Sequence, residues 1–252
     1  MRLSLRSRLK QAARSLLIPR GRKQGLMAWR DRFDDMHGLI GRDDPVLIDG
    51  GANKGDTVEL MLRRFPTASV HAFEPIPALA TRLLERFQRV PAVTVHSRAL
   101  GAEATTIDFH VTANLVSSSA LAPSAANRAV HGGMVATAAT IRVEQVRLDA
   151  IGLARVDGVK LDLQGYELAA LRGMEGLLPA MTCLVLEVQF MPMYERQGGF
   201  AEINAFLSAH GFTIFNFYEL WTRGSGRLES CDVMYARPDA IARVDGMQRT
   251  GS

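Results

Sequence analysis

Residues 49–57 read DGGANKGDT, set between the apolar run Pro45-Val46-Leu47-Ile48 and Val58–Phe65, where apolar residues recur at helical spacing. A glycine-rich turn between a strand and a helix commonly holds a ligand against the helix N-terminus. The chemistry of this turn therefore decides which α/β protein this is. A phosphate-binding loop requires G-x-x-x-x-G-K-[ST]; Gly50 and Gly55 have that separation, but Asp56 stands where the lysine belongs. A carboxylate there repels a triphosphate. The dinucleotide fingerprint G-x-G-x-x-G also fails, because the glycine required after Gly51 falls at Asn53.

Outward from the turn, strand-like and helix-like runs alternate: Val46 to Asp49, a helix from Asp56, Val70 to Glu74, a helix Ala78 to Phe87, then Val93 to Ser97. Two alternating segments, Thr106–Thr112 and Ile141–Leu148, enclose PSAANRAVHGGMVATAAT, a stretch of small residues without period that reads as a mobile loop. The alternation resumes with GVKLDLQG (strand), YELAALRGMEGLL (helix), TCLVLEV (strand) and Phe200–His210 (helix). Phe212–Phe217 and Asp232–Ala236 form a closing pair of strands. This pattern predicts an α/β fold with a mostly parallel sheet flanked by helices.

The third ligand the turn can hold is S-adenosylmethionine, a sulfonium cation without phosphate, beside which acids are tolerable or helpful. Asp49, Glu74, Asp162 and Glu187 each stand at or near the carboxyl end of a predicted parallel strand, the edge where open α/β sheets bind ligands. Taken singly, an acid at a strand end is often a helix cap or a solvated turn residue. Glu74, about 20 residues beyond the turn, is placed to accept hydrogen bonds from ribose hydroxyls. Gly51 and Gly55 let the backbone approach the ligand, and Asn53 tolerates the left-handed conformation. Asp49 and Asp56, the acids flanking the turn, join the cofactor-side set.

The segments VLIDGGANKGDT, VHAFEPIP, RALG, SSSAL (117–121), VRLDAI, VKLDLQGYELAALRGM, LVLEVQFMPMYE and INAFLSAHGF occur in the order found in FkbM-type methyltransferases, and from Pro45 to Phe217 the chain closely resembles that family. The resemblance implies a Rossmann-like class I methyltransferase fold with a seven-stranded sheet, S-adenosyl-L-methionine as cofactor, and O-methylation of a hydroxyl on a sugar, glycan or natural-product acceptor. It also brings Ala99, in RALG, into the cofactor-binding set. One departure stands out. The family commonly carries glutamate in its KxDxEG segment, where this chain has Gln164.

Methyl transfer from a sulfonium is an in-line displacement, and the acceptor must shed a proton. Asp162 is the first candidate for base or acceptor-orienting group and Glu187 the second. His131 reads more simply as a solvated loop residue, and Tyr194, following the acidic strand end, is the aromatic most worth testing. Asp162, Glu167 and Glu187 have no spacing that fixes a metal's geometry, so no metal is called for. The two cysteines, Cys183 and Cys231, read as buried free thiols.

Length and composition predict one domain with extensions, and with the resemblance they divide the chain into a methyltransferase domain, 45–237, a basic helical extension, 1–44, and a loose tail, 238–252. The net charge of +4 hides an asymmetry: the first thirty residues hold nine Lys/Arg and no acid. Within residues 1–23 the pattern is a basic amphipathic helix, suited to weak contact with an anionic membrane surface or to packing on its own domain. The acidic body argues against nucleic acid, and the sequence shows neither a spanning segment nor a secretory signal, which predicts a cytoplasmic protein. The competing reading is a catalytically weak protein that keeps the cofactor fold and acts through its basic helix as an assembly partner. The oligomeric state is not legible.

Overall fold

A computed structural model describes residues 31–250, and of 247–250 only the backbone. The amphipathic segment 1–23 lies outside the described residues. Ten strands and seven α-helices are described here, beginning with α1 (Arg32–Ile40), β1 (Val46–Gly50), α2 (Asp56–Arg64), β2 (Ser69–Phe73), α3 (Pro77–Phe87) and β3 (Val93–His96). Then come β4 (Ala99–Leu100), β5 (Thr105–Thr112), α4 (Ala125–His131), β6 (Thr137–Val146), β7 (Gly158–Leu161) and α5 (Glu167–Arg172). The chain closes with β8 (Cys183–Gln189), α6 (Phe200–Ala209), β9 (Thr213–Thr222), β10 (Leu228–Ala236) and α7 (Pro238–Thr250).

The main sheet has seven strands in the order β3-β2-β1-β7-β8-β10-β9, parallel except for β10, which pairs antiparallel with both β8 and β9. Strand periodicity divides its core in two. Ile48, Leu161, Leu184 and Leu186 face one apolar cluster, while their neighbours Leu47, Cys183 and Val185 face the other. Both cysteines are buried free thiols. The strand order reverses between β2 and β7 around β1, and the glycine turn leaves the carboxyl end of β1 at this switch point, where such sheets bind ligands.

Three expectations are corrected. The tail after Pro238 is not loose: α7 buries Ala240, and Arg243 Nη2 donates to Leu39 O at 3.0 Å, joining α7 to α1. Its proline-first start and apolar residues at 240, 241 and 244 have helical logic. Residues 31–44 are likewise no appendage, because α1 buries Phe33, Met36, Leu39 and Ile40 in the cluster that holds Leu47. The boundary expected at 44/45 cuts through this packing. The small-residue stretch contains α4, whose Ser124 cap accepts from Asn127 N at 3.0 Å and donates to Pro192 O at 2.5 Å, tying it to the end of the β8 connection.

Segments β4, β6 and β5 form a second, three-stranded sheet. Its apolar residues Phe109 and Val143 pack with Ile76 and Leu79 at the start of α3, bringing this sheet over the end of β2.

Candidate active site

The turn after β1 is built by close approach. Gly51 has φ 79°, and a Cβ there would lie 2.1 Å from Asp162 O, so any side chain would force β1 and β7 apart. Asn53 takes the expected left-handed conformation, φ 48°. Its N–H donates to Glu74 Oε2 at 2.9 Å, while Ile76 N donates to Glu74 Oε1 at 2.8 Å. Glu74 thus locks the turn to the end of β2. It is buried, and burial pushes its carboxyl up to about 7 despite the two backbone donors.

Of the residues expected at the cofactor, Gly51, Asn53, Glu74 and Ala99 line one cavity, joined by Asp162 and Gln164. Phe109, Leu115 and Val116 from the second sheet and its connection supply an apolar wall. Three other expected residues lie elsewhere. Gly55 caps α2 with φ 85°, and a Cβ there would lie 2.6 Å from Phe87, so its glycine serves helix packing. Asp56 is exposed and pairs with Arg86 at 2.9 Å. Asp49 is 0% exposed and does not line the cavity. These three are thus set by packing, by a surface ion pair and by burial, distinctions that sequence spacing does not express.

Asp49 faces Lys160, its register partner on β7, with Oδ1 3.7 Å from Nζ. Lys160 Nζ is also 3.5 Å from Asp162 Oδ2. Burial opposes the lysine's charge, but Asp162, Asp49 and Asp232 outweigh it and hold Lys160 protonated. The sequence reading missed this residue. Its signal was a lone lysine inside an otherwise apolar parallel strand, two positions before an aspartate and so on the same face. Both Asp49 oxygens are buried without a hydrogen-bond partner, and burial raises that carboxyl.

Asp162, Gln164, Glu187 and Tyr194 form one polar network. Gln164 Nε2 donates to Asp162 Oδ1 at 2.7 Å and to Glu187 Oε2 at 2.6 Å, while the Tyr194 hydroxyl lies 2.7 Å from Gln164 Oε1 and 3.0 Å from Ser117 O. Gln164 holds this position with φ 54°, a conformation costly for a residue with a side chain and typical of over-determined functional sites. The two carboxyls diverge. Burial works against the charge on Asp162, but Lys160 and the Gln164 amide outweigh it and keep the carboxyl below its ordinary range. Burial, then the charge of Asp162, raises Glu187 well above its own. The surroundings therefore favour the charged form of Asp162 and the neutral form of Glu187. Asp162 has a side chain 39% exposed, so solvent partly screens its charge.

Gln164 is also the wall between two cavities. On its far side a second one is lined by Glu187, Gln189 and Tyr194 from the β8 end, Asn127 and His131 from α4, and Trp221 from β9. His131 is not simply solvated, since Nε2 lies 3.0 Å from Glu229 Oε1. Glu167, once considered with Asp162 and Glu187, is spent locally: Oε1 accepts from Leu163 N at 2.7 Å, and burial pushes the carboxyl up to about 7.

The residues around the first cavity fit the expected cofactor. A glycine cradle admits close approach, Glu74 faces the cavity with its backbone donors already engaged, and acidic charge without phosphate-binding lysines suits a sulfonium. Comparison with known proteins agrees. The family described as Methyltransferase FkbM domain matches residues 49–214. The 31-O-demethyl-FK506 methyltransferase FkbM of Streptomyces tacrolimicus is 30% identical over 218 residues, covering 74% of this chain and 81% of its own. The 2-O-methyltransferase NoeI of Sinorhizobium fredii (strain NBRC 101917 / NGR234) is 28% identical over 170 residues, 63% of this chain and 69% of its own. A crystal structure of methyltransferase FkbM from Methylobacillus flagellatus KT superposes with a TM-score of 0.50 at 16% identity, over 77% of this chain and 44% of the other, a likeness of fold. Because the family match spans more than half of the sequence, the chain belongs to the FkbM methyltransferase family and is an S-adenosylmethionine-dependent methyltransferase.

Proposed function

We propose that the chain methylates a hydroxyl oxygen of a small-molecule acceptor, of the sugar, glycan or natural-product kind, with Asp162 receiving the hydroxyl proton. The observation that carries this reading is that Asp162, 3.5 Å from Lys160 Nζ and 2.7 Å from the Gln164 amide that also bridges to Glu187, lines the same cavity as Gly51, Asn53 and Glu74. S-adenosylmethionine, when bound, supplies the electrophilic methyl. Glu74, Gly51 and Asn53, which line the cavity together, would hold the cofactor, with Glu74 accepting from its ribose hydroxyls. Lys160 keeps Asp162 charged, so a carboxylate is ready to orient the acceptor O–H and take its proton as the new C–O bond forms. Partial exposure of Asp162 lets that proton pass on to solvent. Burial and the charge of Asp162 disfavour a charged Glu187, which accepts from the Gln164 amide and so positions the network. The names of two relatives, a 2-O- and a 31-O-demethyl-FK506 methyltransferase, are in keeping with oxygen as the nucleophile.

The test is incubation of the full chain with methyl-labelled S-adenosylmethionine and a panel of hydroxylated acceptors, with the product bond assigned by mass spectrometry and NMR. Label on a carbon–oxygen bond is expected. Label confined to nitrogen or carbon would refute the oxygen assignment.

A further inference from the structure

Eight large apolar side chains are exposed among the described residues, and five of them belong to the segments that rim the two cavities. Leu115 and Val116 line the first cavity and Trp221 lines the second, while Val130 stands on α4 between Asn127 and His131, which line the second as well. Met134 joins them through the backbone: Asn114 N donates to Met134 O at 3.0 Å and Ala113 N to Ala136 O at 3.2 Å, so residues 113–116 and 134–136 are held side by side. Exposure of the five runs from 38% at Leu115 to 64% at Trp221. Single apolar residues on a surface need no explanation, but a group gathered round adjoining cavity mouths marks a surface that something apolar covers.

The charge of these segments narrows what that is. No aspartate or glutamate occurs between Asp108 and Glu144, a stretch that includes Leu115, Val116, Val130 and Met134 and carries Arg128 and Arg142. Residues 222–227, which follow Trp221, also contain no acid and hold Arg223 and Arg227. Glu229, the acid beside that turn, is engaged by His131 at 3.0 Å and by Arg223 at 3.3 Å. The first thirty residues of the chain add nine Lys/Arg and no acid. Protruding apolar side chains, a tryptophan among them, set beside arginines and away from acids, match a lipid interface with anionic headgroups. The apolar tips enter the acyl boundary, the indole settles at headgroup depth and the cations meet phosphates. A nucleic acid would engage the cations but leave the apolar side chains uncovered.

We propose that this face docks on an anionic bilayer surface, with Leu115, Val116, Val130, Met134 and Trp221 as its apolar contacts. The docking goes beyond the methyl-transfer reading and stands without it. Taken with that reading, it brings the first cavity, which Leu115 and Val116 share with Asp162, to the lipid, so that an acceptor anchored by an apolar tail enters without leaving the bilayer.

Flotation of the full chain with vesicles of phosphatidylcholine containing about a quarter phosphatidylglycerol tests this, with pure phosphatidylcholine vesicles as the counterpart. Binding to the anionic vesicles, weakened by salt and much weaker on the neutral ones, is expected. The double variant Val130→Glu/Met134→Glu, in the full chain, should lower that binding by about tenfold or more, because carboxylates do not enter the acyl boundary. S-adenosylhomocysteine affinity unchanged by calorimetry shows that its fold is intact. A second readout needs no change in the patch: Trp29→Phe leaves Trp221 as the one tryptophan of the chain, and brominated phosphatidylcholine in the vesicles should quench its emission. Three results would each overturn the proposal: no flotation with anionic vesicles, Trp221 emission untouched by the brominated lipid, or undiminished binding by the double variant, which would move attachment to the basic first thirty residues. A chain that ignores vesicles but doubles in mass by light scattering would give the face to a second copy and overturn it equally. These readouts use neither methyl donor nor acceptor, so their failure and that of the methyl-transfer reading are told apart.

Discussion

The Tyr194 hydroxyl lies 2.7 Å from Gln164 Oε1, and this contact fixes which way round the Gln164 amide lies. With Oε1 held by Tyr194, both Nε2 protons point at carboxyls, one at Asp162 and one at Glu187. Burial makes the tyrosine a weaker acid than usual, so it remains a donor throughout the working pH range. Glutamine at 164, where relatives commonly carry glutamate, is therefore consistent with an intact site: it supplies two donors where a third carboxylate would add repulsion.

Replacing that amide by a carboxylate gives a pH-dependent prediction. Gln164→Glu should raise the neighbouring Asp162 through like-charge repulsion, so the acid limb of the rate profile moves upward by about one pH unit or more. Gln164→Ala, which removes the donors without adding charge, should shift the limb less. Rate measurements carried down to pH 3 check this; an unmoved limb in Gln164→Glu would take Asp162 out of the proton-transfer role.

Asp162→Asn should lower methyl transfer by about 10²-fold or more while changing S-adenosylhomocysteine affinity only a few-fold, because general-base catalysis contributes on that scale. Single-turnover rates and calorimetry separate the two. Equal losses in both would assign Asp162 to cofactor binding.

Glu74 couples cofactor affinity to pH. Its ligand-free carboxyl is pushed up to about 7, and ribose hydroxyls donate better to the carboxylate, so binding should release protons and affinity should rise as pH increases through 7. The stability effect has the opposite sign: the raised value favours the ligand-free fold at low pH, and that contribution is lost as pH rises from the ordinary 4.5 through 7. Calorimetry at pH 6.5 in buffers of different ionisation enthalpy reads the proton release directly. Glu74→Ala should abolish the linkage and cost about 10- to 100-fold in affinity, the weight of one to two hydrogen bonds.

Lys160→Met leaves Asp49 and Asp162 without their shared cation. Breaking a buried ion pair from one side costs about 3–5 kcal/mol, so a large loss is expected in urea unfolding at pH 7.5. In the variant both carboxyls should titrate above their unfolded values, so the deficit should shrink as pH falls. A deficit independent of pH would mean that packing of the lysine's aliphatic stem, and not its charge, was lost.

The parallel strands were legible because each announces itself by a largely apolar run, and Glu74, Asp162 and Glu187 stood out because a polar residue ending such a run has few structural excuses, whereas the order of the strands comes from their pairing. Other features lay beyond that logic. Whether Asp56 meets a ligand or Arg86 depends on where α3 comes to rest, and whether Gly55 serves a cofactor or Phe87 is decided by the same packing. Asn127 sat in a stretch with no period, because a seven-residue helix is too short to show one. Lys160 was visible as an anomaly but acquires meaning only from its cross-strand register with Asp49.

The antiparallel strand β10 sits between β8 and β9, although it follows both in the chain. During synthesis on the ribosome β9 therefore emerges with no neighbour to join, and the open edge of β8, carrying Leu184, Leu186 and Val188, stays uncovered until residues 228–236 arrive. An unpaired apolar edge is a template for association with another chain. A nascent chain stalled before residue 228 is thus the species most in need of a chaperone, and one released there should be recovered as aggregate, with the loss set by strand insertion order and not by any defect in the cofactor site.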